Sequence, residues 1–568
     1  MTGIEVHPVL ILLAGGLLVA LTQGWVRRAL LVVVPIVGGL NLLTLHPGAT
    51  LEWHLLGLTL IPLRVDRLSL LFGYLFHLAL LLGNVYALHL KPEDDAGIQH
   101  TSAVWYAMAA VGAVFAGDMI TLFVYWELLA LTSVFLIWAR RTERAMRAGM
   151  RYLVINVVSG VILLAGVLMR AHTTGSIAFD AIGLDGSVAA WLILVAFGIK
   201  SAFPFLHNWL TDAYPEATAT GAVFLSAFTT KVAVYALARS FAGTELLIYI
   251  GVTMTCFPIF YAVIENDLRR VLSYSMINQI GFMVTGIGVG TALAVNGAVA
   301  HAFADVIFKG LLFMSMGAVL HMTGSVKGSD LGGLYKTMPI TATLCVIGAA
   351  SISAFPLFSA FVTKSMVMAA VLDTGHPWAW LLLLFASVGV LEHAGIKIPY
   401  FSFFAHDSGI RAKEPPRNML VAMSLAAALC IGIGTFPAFL YGLLPYSTGY
   451  APYDVTHVLT QTQLLVFGAL AVFVLIRTGV YPPELRSVNL DAEWSYRWLA
   501  PRVVGGVGGA VARADAAMRG AVLRVLKRTL AVAVRGHGPQ GILSRTWPTG
   551  SMVLWVTIML VASLLFYF

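Results

Sequence analysis

Lys200-Ser-Ala-Phe-Pro204-Phe-Leu-His207 and Ser353-Ala-Phe-Pro356-Leu-Phe-Ser-Ala-Phe-Val-Thr-Lys364 decide how this chain is read. Each sits inside an apolar run long enough to cross a bilayer, and each brings a proline and a lysine into it. A proline there frees backbone carbonyls, which is tolerable only against protein or a wet cavity. Counted along the chain, the two runs are the seventh and twelfth spans, so they run in opposite directions. Broken helices at corresponding places of two inverted halves point to a transport site near the midplane.

The surrounding composition is that of a polytopic membrane protein. Of 568 residues, 59% are hydrophobic and 11% charged, with a mean hydropathy of +0.86, whereas a soluble domain carries about 25% charged residues. A crossing needs ~20 apolar residues. Runs that meet this lie near 8–26, 29–46, 67–90, 101–116, 118–139, 150–170, 188–212, 218–240, 244–264, 271–291, 294–320, 340–372, 380–404, 417–441, 456–478 and 549–568, which predicts about sixteen transmembrane helices in an all-α fold. With the N-terminus outside, the cytoplasmic loops collect sixteen Lys/Arg, and the opposite side only Arg64, Arg67, Arg170 and Arg239. That bias predicts a multi-pass protein of the bacterial inner membrane with an external N-terminus. The pI near 9.3 follows from the same scattered loop charges, so nucleic acid is not an expected partner. Cys256, Cys345 and Cys430 stand singly without CxxC spacing, which argues against disulfides, zinc and iron–sulfur clusters. The run from Pro8 to Trp25 ends at Arg27-Arg28 without a small-residue cleavage site, so no cleavable signal is expected.

Residues 479–548 break the pattern. Val511, Met518, Val522, Val525, Thr529 and Val532 recur at helical spacing, with Arg513, Arg524, Lys527, Arg528 and Arg535 opposite. This predicts an amphipathic helix over 508–535, ~40 Å long, lying flat on the cytoplasmic side, before the final run re-enters the membrane.

A charge at the bilayer centre costs ~2.5–3.5 kcal/mol on insertion scales, yet Lys200, Lys231, Lys309, Lys364 and Lys397 all fall within spans. Glu127, Asp305, Glu392, His207, His301 and His393 join them. Burial makes lysine a proton carrier near neutral pH, a carboxylate opposes that, and histidine links such groups. His301, Asp305 and Lys309 recur every four residues on one predicted helix face, with Asp305 as the expected counter-ion of Lys309. A static ion pair joining helices is the competing reading. There is no GxxxxGK loop and no histidine pair placed for haem. No cofactor, metal or catalytic site of the chain's own is expected.

Trp126-Glu127-Leu-Leu, Lys200 with Pro204, His207-Asn-Trp-Leu-Thr-Asp212-Ala, Lys231-Val-Ala-Val-Tyr235, Asn266-Asp267-Leu-Arg-Arg270, His301 through Lys309, and Phe355-Pro356 through Lys364 resemble one family. It is the antiporter-like subunits shared by respiratory complex I and Mrp-type sodium/proton antiporters, and the likeness runs over roughly residues 65–410. The resemblance implies a fourteen-helix core with two inverted five-helix repeats, 101–240 (helices 4–8) and 244–404 (helices 9–13). Residues 1–100 precede them as helices 1–3. Helices 14–15 (417–478), the lateral segment (479–548) and a last helix (549–568) follow. It implies that Glu127 pairs with Lys200, that Lys231 connects the halves and that Lys364 is the terminal group of a proton path. The path would run through Glu127, Lys200, Lys231, His301, Asp305, Lys309 and Lys364, with His207, Asp212, Arg269, Glu392, His393 and Lys397 as secondary candidates. Arg269 stands where the family often has lysine, and arginine cannot release its proton. Asp305 stands where a second histidine is usual. Lys231 favours a likeness to the D-type Mrp component. The implied partners are other membrane subunits, the lipid bilayer, protons and a monovalent cation, Na+ or K+. Two other readings are a component of a redox-driven, NADH-quinone oxidoreductase-like complex and the membrane partner of an inorganic-carbon accumulation complex.

Overall fold

The computed structural model describes residues 6–55, 57–481, 484–486 and 489–568. They form two units, 1–489 and 490–568. Helix occupies each of the sixteen predicted runs. Among the described residues, eleven helices are long and apolar enough to cross a membrane by themselves. Pro8–Leu21, Val188–Lys200 and Pro339–Ile352 are shorter apolar helices.

The same local devices occur twice in the larger unit. Two helices of 32 residues, Glu143–Thr174 and Ala292–Thr323, start 149 residues apart (143 to 292). Each ends on a glycine in the left-handed region, Gly175 at φ 70° and Gly324 at φ 76°. Asp118 caps Met119–Trp138 and bridges to Ala178; Asp267 caps Leu268–Val289 and bridges to Lys327, at the same offset. Both proline breaks hold non-glycine residues at positive φ: Ala202 (63°) and Phe205 (67°), then Ala354 (57°) and Leu357 (74°). That conformation is uncommon for such residues and persists only where the surroundings enforce it.

At the breaks, side-chain donors supplement the backbone hydrogen bonds. Ser201 Oγ donates to Phe197 O at 2.8 Å and Trp209 Nε1 to Ile199 O at 2.8 Å. At the second break, Ser353 Oγ donates to Ala349 O at 2.7 Å and Lys364 Nζ to Ile352 O at 3.3 Å. The first broken helix resumes as Asn208–Ala213, and the loop behind it is gripped by Arg269. This fully buried guanidinium donates to Pro215 O (3.2 Å), Ala217 O (3.0 Å), Tyr214 O (3.3 Å) and Thr218 O (3.0 Å).

An antiparallel hairpin, Thr50–Leu55 with Leu58–Arg64, lies between the second and third spans, where no strand was expected. Arg64 anchors it through an ion pair to Asp180 at 2.7 Å. In the loops 324–338 and 405–416, hydrogen bonds from Arg411 and Lys336 hold the exposed Asp407 carboxyl well below the usual carboxylate range.

The smaller unit contains a helix Ala500–His537 of 38 residues, none buried, and a helix Thr549–Tyr567. At 1.5 Å per residue the first is about 57 Å long, longer than predicted. The glycine-rich stretch 505–509 stays helical, and Pro501 falls in the first turn, where its missing N–H costs nothing.

Replacing Arg269 by methionine leaves Ala217 O without its donor, at about 1–3 kcal/mol, and strips a second donor from Pro215 O, Tyr214 O and Thr218 O, which keep Arg140, the Ala217 amide and the Ala222 amide. We expect a clearly lower melting midpoint in detergent and less assembled protein. Lysine, with three donors, should restore only part of it. An unchanged midpoint in Arg269→Met would refute the clamp.

Candidate functional site

The five lysines predicted within spans are all buried. Lys200 ends the Val188–Lys200 half-helix, where the break turns its side chain toward Met119–Trp138. Its ammonium donates to the backbone carbonyl of Trp126 and lies 4.6 Å from that indole's centroid. It does not donate to Glu127, the pairing expected from the resemblance. Glu127 is half-buried, and its Oε1 accepts no hydrogen bond. The carboxylate rests over Gly160, where a Cβ would fall on Oε1, so only glycine leaves it this seat. His207 is buried with its ring 4.7 Å from that of Phe257. Asp212 is ion-paired to Arg151 at 2.6 Å.

The two halves meet at Lys231, on Thr229–Ser240, and Asp305, on Ala292–Thr323. Nζ and Oδ2 are 2.6 Å apart, and both side chains are wholly inaccessible to solvent. The contact has an ion pair's distance without a hydrogen bond's alignment, and Lys231 also donates to Ser226 O at 3.2 Å. The direct contact of Asp305 is thus Lys231 on a neighbouring element, whereas the sequence pointed to Lys309 on its own helix. Lys309 donates to Ser275 Oγ at 2.8 Å instead. Spacing of four placed the two residues on one face, but the nearer acceptors stand on neighbouring helices.

Leu268–Val289 supplies the partners in order. Ser275 meets Lys309, Gln279 meets His301, and the Phe282 ring lies 4.7 Å from the Lys364 ammonium. His301 Nε2 donates to Gln279 Oε1 at 3.0 Å, since the Gln279 amide nitrogen is committed to Asn278 Oδ1 at 2.6 Å. Nδ1 stands 3.0 Å from Thr363 Oγ1 and accepts its proton when the ring is neutral. In the imidazolium that bond reverses, and the Thr363 hydroxyl turns to Ser359 O at 3.2 Å. His301 can therefore gain and lose a proton by rotating one hydroxyl.

Lys364 borders a cavity of about 340 Å³ that Ser387, Asp454, His457 and Gln461 also line. At ~30 Å³ per molecule this could hold roughly ten waters. Glu392, His393 and Lys397 lie on Pro377–Phe404, which turns π-helical at Leu391–Ile396 and Tyr400–Phe404. Uncharged partners were missed in the sequence. Asn278-Gln279, two amides in mid-span, carried a visible signal; Ser275 and Thr363 carried none. Among the described residues, no three His, Cys, Asp or Glu side chains are placed to hold a metal.

A profile of the family described as NADH:quinone oxidoreductase/Mrp antiporter, TM, matches residues 116–389. The D component of the Na(+)/H(+) antiporter of Alkalihalophilus pseudofirmus is 30% identical over 368 residues, 60% of this chain and 73% of that protein. The chain belongs to this family. The A/B component of a probable K(+)/H(+) antiporter of Rhizobium meliloti is also 30% identical, over 405 residues, or 66% of this chain and 40% of that protein, so this chain spans less than half of it. The fold matches a chain of the Mrp complex from Dietzia sp. with a TM-score of 0.77 at 24% identity, covering 98% of this chain and 65% of that one. The protein is thus a multi-pass membrane member of the antiporter family, all-α in its membrane part.

Losing one member of the Lys231–Asp305 pair strands a buried charge, at about 3–5 kcal/mol. Asp305→Asn should lower the melting midpoint of the purified protein. The double variant Lys231→Met, Asp305→Leu should recover most of that stability while proton-coupled transport stays absent. A double variant that still transports would exclude the pair from the path.

Proposed function

We propose that this chain is a proton-conducting membrane subunit of a multisubunit monovalent cation/proton antiporter of the Mrp type. The observation that carries this reading is the wholly buried Lys231–Asp305 ion pair, which joins one lysine-bearing half to another. Lys200 lies on one side of it, and Lys309, His301 and Lys364 on the other, and none has its own carboxylate in contact. Unpaired buried lysines are costly as fixed charges and useful as proton carriers. Glu127 and Lys200 act as a pair that closes and opens, and the path leaves through Lys364 and the cavity beside it. The names of the relatives, components of Na(+)/H(+) and K(+)/H(+) antiporters, support a monovalent cation as the coupled ion. Other membrane subunits are the partners, in the bacterial inner membrane.

In vesicles holding the assembled complex, Glu127→Gln and Lys364→Ala should each abolish proton-coupled transport without loss of assembly. Lys200→Arg should impair it despite keeping the charge, because arginine holds its proton too tightly. Near-normal transport by an assembled Lys364→Ala complex would rule out this exit.

The excess of loop Lys/Arg favours an external N-terminus and places the basic face of Ala500–His537 on the cytoplasmic side. A cysteine replacing Arg524 should react with impermeant maleimide in inside-out vesicles and be protected in right-side-out ones. The reverse pattern would invert the topology.

A further inference from the structure

A second group of buried ionisable residues lies outside the path just described. Lys397, 1% exposed, donates to the last carbonyls of Leu246–Ile264 and the residue after it: Ala262 O at 3.1 Å, Val263 O at 2.6 Å and Glu265 O at 2.8 Å. Its ammonium also ion-pairs with Glu484 Oε1 at 2.9 Å. An ammonium has three hydrogens; the three carbonyls take them, and the Glu484 carboxylate, whose oxygens accept no hydrogen bond in good geometry, adds its charge alone. Glu484 follows the Val455–Thr478 helix in the chain, and its side chain is 6% exposed. Tyr481 OH donates to Glu392 Oε1 at 2.6 Å, Arg486 pairs with Asp330 at 2.7 Å, and Asn489 Nδ2 donates to Glu265 Oε2 at 3.2 Å.

Two features show that these groups are not a finished ion-pair network. Glu392 Oε2 has no hydrogen-bond partner. The ring of His393 is wholly buried, with the Gly389 carbonyl one turn back beside it and neither nitrogen in a hydrogen bond of good geometry. The helix turns π-helical here, a local widening often found at functional sites. The other ionisable groups facing the cluster are Glu265, with Arg270 3.9 Å away, and Tyr481.

We propose that Glu484, Lys397, Glu392 and His393 form a proton-uptake site for the second half of the chain, delivering to Lys309. The inference rests on the antiporter reading. A proton from water adds to the Glu484 carboxylate and weakens its hold on Lys397, which keeps its three carbonyls. The proton passes from the Glu484 carboxyl to Glu392 Oε2. His393 then accepts it on one ring nitrogen and releases another from the second nitrogen to an unprotonated Lys309 amine. Each transfer breaks one O–H or N–H bond and forms one, with no redox change.

Glu484→Gln tests this, because the amide keeps the shape but cannot carry the proton. Protons are scarce at alkaline pH, so uptake limits the rate there. In proteoliposomes of the purified complex, the initial antiport rate should fall about tenfold at about pH 8.5 and less than about twofold at about pH 6.5. His393→Gln should follow the same profile. Wild-type rates at both pH values, or a loss of equal size at both, would overturn the uptake site. Glu127→Gln is assayed alongside. If it is inactive while Glu484→Gln is unaffected, only the uptake site fails; absence of antiport in the wild type removes both readings.

Discussion

Every cation buried in this bundle has to be solvated by something other than water, and the backbone carbonyl does most of that work. Lys200 takes Trp126 O, Lys231 takes Ser226 O, Lys364 takes Ile352 O, Lys397 takes the carbonyls at the end of Leu246–Ile264, and Arg269 takes four. A helix end leaves carbonyls unpaired, and its dipole favours a positive charge there. Breaking a helix in mid-membrane creates such ends at the depth where a lysine would otherwise be least welcome. At the second break the proline and the buried lysine are therefore one design. The break at Ala354 frees the carbonyl that Lys364 uses, and the lysine offsets the cost of the unpaired carbonyl.

A carbonyl is a weaker anchor than a carboxylate, and that difference sorts the site. A lysine held only by dipoles can give up its proton and leave a neutral amine beside a neutral carbonyl, with no charge stranded. A lysine held by a carboxylate cannot. Among the described residues, the five span lysines have carboxylates in contact at two places only, Asp305 on Lys231 and Glu484 on Lys397. The first joins Thr229–Ser240 to Ala292–Thr323, and the second joins a membrane helix to the segment beyond the last core span. Charge pairing marks the seams between elements, and dipole solvation marks the positions between them.

Much of this was legible in the sequence. Hydropathy located the sixteen helical runs because a bilayer demands long apolar segments whatever their partners. The breaks were visible because proline in such a segment has few explanations, and the lysines because charge there is expensive. Partner choice was not legible. Asp305 and Lys309 share a helix face by spacing, yet a four-residue step says nothing about the acceptors on the next helix. Glu484 sits in a polar stretch that reads as linker, and only the folded chain brings it to Lys397. The internal repetition showed in the sequence only through the matched proline breaks and the family resemblance, because the rest of it is carried by backbone devices, caps, bridges and positive-φ residues, that many side chains satisfy.

The two breaks differ at one corresponding position, and that difference bears on direction. Counting from Ala202 and Ala354, Asp212 and Lys364 occupy equivalent places. Asp212 is held by Arg151 at 2.6 Å, so its charge is committed to a fixed pair. Lys364 is held by a carbonyl and an aromatic face and borders the cavity. Two halves built from the same devices therefore present a closed end and an open one. Between them, a proton arriving on Asp305 removes the carboxylate facing Lys231, and the ammonium groups of Lys231, Lys309 and Lys364 then repel one another without that offset. Expelling a proton from the member that borders the cavity relieves the repulsion. On the proposed reading, uptake on one side of the seam is thereby coupled to release on the other by charge.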